Sequence, residues 1–392
     1  MTSEIAPIFD YLQPMQEAVD EIANTWRPGD PEYRADVYRQ IMMQFSYGYF
    51  AFFHATPEHP DWAPLWNPVY TLQPNPDDIY LYCPVRDDLT YRLSGNRGTV
   101  KMLLINTQGA LPGLEGGVDY TGERYADIDD RSLQLGADGH FEILLSREWP
   151  AGHTGDWLQI KPGANVLMTR YRSYDWINEI DPVMSIECIS KVPPKPRLSP
   201  DDILKRIRQM AAMPVAATKM FYSMQNQVKA EVGINVFQPQ KLGGALSKQV
   251  YIPAVFELEE DEALIIETEL PEQRHYWNFQ LNDPYFNALE YVYRLSSTNG
   301  HFARLSSDGK FRAVLALSDP GVPNWLDTAG YKQGTIYGRW FDCDSCPTPT
   351  LTRVKLAALR GYLPADTPVV TPQERAKELA DRVRGCQRRR RW

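Results

Sequence analysis

The stretch DGKFRAVLALSDPGVPNWLDTAGYKQGTIYGRW, from Asp308 to Trp340, decides how this chain is read, because DGHFEILLSREWPAGHTGDWLQIKPGANVLMTRY, from Asp138 to Tyr171, repeats its grammar. Asp138-Gly139 matches Asp308-Gly309, Phe141 matches Phe311, and Leu145-Ser146 match Leu317-Ser318. Trp157-Leu158 match Trp325-Leu326, Gly163 matches Gly330 and Arg170 matches Arg339. Each copy contains a turn, an alternating strand, a Pro/Gly loop with a Trp, a second turn and a strand that ends in a cation. That order is β-sandwich grammar, and its recurrence predicts two sandwich domains from an internal duplication.

A chain of 392 residues suffices for two cores, and a separation of roughly 170 residues between the copies suits ordinary domains. Period-two alternation at Leu89, Tyr91 and Leu93, and again at Val100, Met102 and Leu104, surrounds a Gly-Asn-Arg-Gly turn and predicts a hairpin. The expected organisation is an N-terminal helical segment (1–70) and a first sandwich (71–191). A helical linker (192–247), a second sandwich (248–355) and a C-terminal helix with an Arg-rich tail (356–392) follow. Asp30-Pro31 predicts the start of one helix and Ser199-Pro200-Asp201 that of another, which is read as ending before a further helix from about Ala216. The aromatic run Phe45, Tyr47, Tyr49, Phe50, Phe52 and Phe53 belongs to a helix packed on a sheet or to an apolar pocket wall.

A net charge of -9 disfavours nucleic acid and anionic lipid as partners. No apolar run is long enough to span a bilayer and the N-terminus lacks signal-peptide character, so the expectation is a cytoplasmic protein. Five cysteines are too few and odd in number for a secreted disulfide framework, and the pair Cys343/Cys346 lacks the second pair that a zinc site requires. Six scattered histidines supply no ligand cluster, so the expected set is no metal and no cofactor. Nucleophile-elbow, zincin, phosphate-loop and dinucleotide motifs are missing too.

The blocks NPDDIY (75–80), YRLSGNRGT (91–99), YWNFQL (276–281), LSSTNGHFARLSSDGKF and DPGVPNWLDTAG (319–330) resemble the bacterial domain-of-unknown-function family 1214, often joined to family 1254. The resemblance implies jelly-roll-like β-sandwich domains with added helices. It implies no activity.

Function is therefore read from polar groups set in aromatic sequence. The candidate catalytic residues are Asp327, Arg339, Asp78 and His301, and the candidate substrate-binding residues are Trp325, Asn324, Tyr80 and Tyr276. Asp327 and Asp78 are placed as acid or base, and each also suits a turn. Arg339, ending a strand predicted to face inward, requires a carboxylate or a bound anion. His301 can transfer protons near neutral pH. These residues point to a cofactor-free acid/base enzyme acting on a partly apolar small molecule of aromatic, terpenoid or steroid type. The alternative is a non-enzymatic jelly-roll protein that binds carbohydrate or assembles, and homo-oligomer formation stays open.

Overall fold

The computed structural model describes residues 6–23, 29–109, 124–240, 246 and 248–389, with the side chains of Arg124 and of 218–225 left aside. The chain enters through three helices, α1 (Ile8–Leu12), α2 (Pro14–Ala23) and α3 (Pro31–Phe52). Asp30 caps α3 by accepting from the backbone N–H groups of Glu32 and Tyr33, with Pro31 in the first turn as its sequence predicts.

Among the described residues nine strands follow: β1 (Ala63–Pro64), β2 (Asp78–Pro84), β3 (Tyr91–Asn96), β4 (Met102–Gln108), β5 (Arg124–Asp129), β6 (His140–Ser146), β7 (Asp156–Gln159), β8 (Val166–Arg172) and β9 (Val183–Cys188). They form two sheets, β1-β2-β8-β4-β5 and β7-β6-β3-β9. Helix α4 (Pro200–Val232) then crosses to the second sandwich. The sequence predicts two helices here, but a single 33-residue helix runs through Pro214. Its packing on α2, α3 and the following strand outweighs the lost backbone donor.

The second sandwich contains β10 (Gln249–Glu257), β11 (Glu262–Thr268), β12 (Arg274–Asn282), β13 (Ser297–Asn299), β14 (Phe311–Ala316), β15 (Trp325–Asp327), β16 (Gln333–Cys343) and β17 (Thr350–Lys355). Its sheets are ordered β10-β16-β12-β13 and β15-β14-β11-β17. Removing β1 leaves the same strand order in both domains. Each domain also holds a parallel strand pair at the equivalent place, in which Leu144 faces Trp157 and Val314 faces Trp325. Each indole bonds two residues further along the partner strand, Trp157 to Ser146 Oγ and Trp325 to the Ala316 carbonyl. Gly139 and Gly309 adopt φ of 82° and 81°, and Gly163 and Gly330 adopt 85° and 89°. These are left-handed turn positions that only glycine occupies without strain. The two copies are thus equivalent in topology, register and turn chemistry.

Alternation along the strands builds two separate cores. Ile79, Tyr91, Leu103, Phe141 and Leu167 fill the first, and Ile252, Leu264, Trp277, Phe311 and Trp340 fill the second. After α5 (Pro372–Arg388), which starts at a Thr371/Glu374 capping box, the described chain ends at Arg389. Among the described residues no helix is long and apolar enough to cross a membrane.

Candidate functional site

Alternation also determines what lies between the sandwiches. In β12, Trp277, Phe279 and Leu281 enter the second core, so Tyr276, Asn278, Gln280 and Asn282 project from the opposite face, and all four are buried. In β8, Leu167 and Tyr171 enter the first core and Met168, Arg170 and Arg172 project away from it. Hydrogen bonds between Asn75 and Tyr276, Asn75 and Asn278, Arg172 and Gln249, and Arg339 and Gln73 join these two outer faces. The central sheets therefore meet through a buried polar layer. Such a layer must satisfy its own polar groups internally.

Asp78 starts β2 directly opposite Arg172 on β8. Arg172 donates from Nε to Oδ1 at 2.5 Å and from Nη2 to Oδ2 at 2.7 Å, and its guanidinium stands 3.9 Å from the centre of the Tyr276 ring. Burial alone would raise the Asp78 pKa, but the charge and hydrogen bonds of Arg172, joined by the charges of Arg170 and Arg339, hold it below the usual carboxylate range. Asp77 goes the other way. Burial pushes its carboxyl up, opposed by donors from Tyr276 (2.5 Å), Trp176 (2.8 Å) and Asn299 (2.7 Å). Tyr80 Oη donates to Asp78 Oδ2 at 3.2 Å, and burial pushes its phenol well above the ordinary range.

The turn that delivers these groups is Asn75-Pro76-Asp77-Asp78, closed by a 2.9 Å bond from the Asp78 N–H to the Asn75 carbonyl. Leu72 and Gln73, just before it, have φ of 61° and 46°, an unfavourable region for side-chain-bearing residues. The surrounding packing holds Gln73 there, and its side-chain oxygen accepts from Arg339 Nη2 at 2.9 Å.

Among the described residues, two arginines in this layer have no carboxylate within hydrogen-bond distance. Arg339 donates to Gln280 at 2.7 Å, Asn278 at 3.3 Å and Gln73, all neutral amides. Arg170 is only 7% exposed, its Nε has no hydrogen-bond partner, and the nearest carboxylate oxygen, Asp78 Oδ2, is 4.0 Å away. Arg170 stands over the Tyr80 ring at 4.8 Å and Arg339 over the Tyr251 ring at 5.4 Å. Tyr80 and Tyr251 also border an aromatic cluster of Tyr47, Phe52, Trp66, Tyr82, Phe286 and Tyr337, where α3 and α4 close over both sandwiches.

Of the residues singled out from sequence, Asp78, Tyr80, Tyr276 and Arg339 converge on this layer. The other four lie elsewhere. Leu326 faces the second core, so Trp325 and Asp327 on the same outer strand point away from the central sheets. Asp327 pairs with Arg294 at 2.9 Å and accepts from the Ala329 N–H at 2.8 Å, which is a turn-fixing role. The Asn324 side chain bonds the backbone of Arg304 and Arg312. His301 is half-exposed and 3.6 Å from Asp175. His301, Asn324 and Trp325 share the lining of a separate cavity of about 370 Å³ beside α5.

Sequence reasoning missed Arg172 and Tyr251, read Asn75 and Asp77 only as parts of the NPDDIY turn, and treated Arg170 only as an echo of Arg339. A signal was present in YWNFQLN, whose apolar residues suffice for one face while the other face is polar yet lies in a strand. Cys83, Cys188 and Cys343 are free thiols, and among the described residues no group of three or more His, Cys, Asp or Glu side chains is placed to hold a metal ion.

Fold and site together define a tandem β-sandwich protein whose central sheets meet through a buried arginine, carboxylate and tyrosine layer. The model of the family described as a protein of unknown function, DUF1214, matches residues 118–175, a segment that includes the first copy, in keeping with the resemblance read from the sequence. The blocks that carried that resemblance lie outside the matched segment. No curated protein matches the chain. Among solved structures, an uncharacterized protein from Burkholderia cenocepacia is similar over 89% of this chain and 97% of its own, at 28% identity and a TM-score of 0.81. A protein from Vibrio parahaemolyticus aligns over 88% of this chain and 98% of its own, at 11% identity and a TM-score of 0.46.

Proposed function

We propose that this protein binds a small organic anion with an apolar, aromatic-sized body where the two central sheets meet. The observation that carries the reading is Arg170, a buried guanidinium whose Nε has no hydrogen-bond partner among the described residues, in a layer where neutral amides hydrogen-bond Arg339. A buried guanidinium that shares its nearest carboxylate with another arginine is costly, and three guanidinium groups around the ionised Asp78 leave an excess of positive charge. An incoming carboxylate offsets that excess, and arginine receives it through charge-assisted, fork-like hydrogen bonds. Tyr80, Tyr251 and the neighbouring aromatic cluster receive the apolar body.

A second reading adds chemistry to binding. The hydrogen bond from Tyr80 to Asp78, beside Arg170, is an acid/base pair bordering the same cluster, and it supports cofactor-free proton transfer on a partly apolar metabolite. Asp78, held low by Arg172, is a weak base, so recognition of the anion is the better-supported function. A small-molecule ligand in the cytoplasm is part of this reading.

The test is native mass spectrometry of protein purified without denaturant, followed by calorimetry with phenylacetate and with its neutral amide. Binding of the acid and not of the amide is expected. Equal affinity for both sinks the proposal, whereas conversion of a bound acid during incubation favours the second reading.

A further inference from the structure

Arginines recur every seven residues at the end of the chain, at Arg375, Arg382 and Arg389, and all three are buried. Seven residues are close to two helical turns, so the three share one face of α5 and its C-terminal cap. Arg375 pairs with Asp319, donates to the Val322 carbonyl at 2.8 Å and stands over Trp325. Arg382 donates to the carbonyls of Tyr291 and Ser297 and stands 4.6 Å from the centre of Trp176. Arg389 reaches the other sandwich, donating to the carbonyls of Pro76 at 3.1 Å and Asp77 at 2.8 Å.

Gly385 makes this approach feasible. A Cβ there would lie 3.1 Å from Trp176 Cβ and 3.2 Å from the Trp176 carbonyl oxygen, so glycine lets the helix rest on that backbone. Trp176 in turn donates to Asp77. The last turn of α5 therefore grips, from outside, the Asn75–Asp78 turn that feeds both aspartates into the polar layer.

We propose that α5 is a latch on the anion site and that Arg389 is the residue that positions the Asp77–Asp78 turn. With the turn held, Asp78 is committed to Arg172 and stays 4.0 Å from Arg170, which leaves Arg170 to an incoming anion. With the turn released, Asp78 swings between the two arginines and competes with the ligand. The consequence for binding rests on the anion-site reading; the hold on the turn does not.

The experiment compares full-length Arg389→Ala, Arg389→Lys and Arg375→Ala by hydrogen exchange at the amides of Asp77 and Asp78, with phenylacetate calorimetry alongside. Arg389→Ala is expected to speed exchange at those amides by at least tenfold and to weaken phenylacetate about tenfold. Arg389→Lys is expected to recover part of both. Arg375→Ala, which loosens the far end of the helix, leaves exchange at the turn unchanged. Unchanged exchange in Arg389→Ala, or equal acceleration in Arg375→Ala, overturns the latch. Failure of the unsubstituted protein to bind phenylacetate overturns the anion-site reading and leaves the exchange result to judge the latch.

Discussion

Arg170 on β8 and Arg339 on β16 hold equivalent places in the two sandwiches: Arg170 lies opposite Tyr80 and Arg339 opposite Tyr251, and each guanidinium stands over that tyrosine's ring. The duplication therefore puts two cations on facing sheets. Their partners differ. Arg339 gained the amides of Gln280, Asn278 and Gln73, while Arg170 faces Leu104 at the position equivalent to Asn278 and has no amide to bond.

This asymmetry separates binding from stability. Arg170→Met is expected to abolish phenylacetate binding, at least a hundredfold, while the melting temperature holds or rises, because an apolar side chain of similar length replaces a buried charge whose nearest carboxylate, Asp78, is 4.0 Å away and already held by Arg172. Arg172→Met is expected to lose about 3–5 kcal/mol, since it strands the buried Asp78 carboxylate. Calorimetry and urea melts on both variants check the pair.

Tyr276 bridges Asn75 and Asp77. Tyr276→Phe keeps the ring beneath Arg172 but removes the hydroxyl, leaving two buried polar groups short of a partner. The expected loss is about 1–3 kcal/mol in equilibrium unfolding. A loss below a few tenths would mean that the layer rearranges readily.

Asp327→Asn bears on the sequence-based expectation of a catalytic base. Its ion pair with Arg294 and its bond from the Ala329 N–H give it a turn-fixing role on the outer sheet. We expect a stability loss of about 0.5–2 kcal/mol with phenylacetate affinity unchanged. A collapse of ligand binding in a folded variant would return Asp327 to the site.

Asp283 makes stability depend on pH. Burial pushes its carboxyl up to about 6, against hydrogen bonds from Asn287 and Tyr285. The folded state then holds a proton that the unfolded state releases near pH 4, so this group's contribution is greatest below about pH 4 and declines as pH rises through 6. The decline amounts to ~3 kcal/mol, at roughly 1.4 kcal/mol per pKa unit. Denaturant midpoints for the parent and Asp283→Asn across pH 4–7 should diverge over that window, and parallel curves would remove Asp283 as the cause.

Features that depend on local spacing are legible in the chain's own order of residues. Period-two runs and paired Asp-Gly turns predict two sandwiches, and Asp30-Pro31 and Ser199-Pro200 mark helix starts, because turn conformations and caps are set by a few neighbouring residues. That order also picks out Asp78, Tyr80, Tyr276 and Arg339, each an unusual polar group in a strand or at its edge. Which face of each strand meets the other domain follows from the packing of the finished sheets. Moving one residue along a strand reverses its direction, so Asp327 and Trp325, prominent in sequence, turn away on the outer sheet while Arg170 and Arg172 turn inward. The partner of Asp78 lies 94 residues away on β8, and the arginine that grips its turn comes from the far end of the chain. Contacts of that separation leave no periodic trace in a single sequence, since they are set by how two finished sheets and a terminal helix pack.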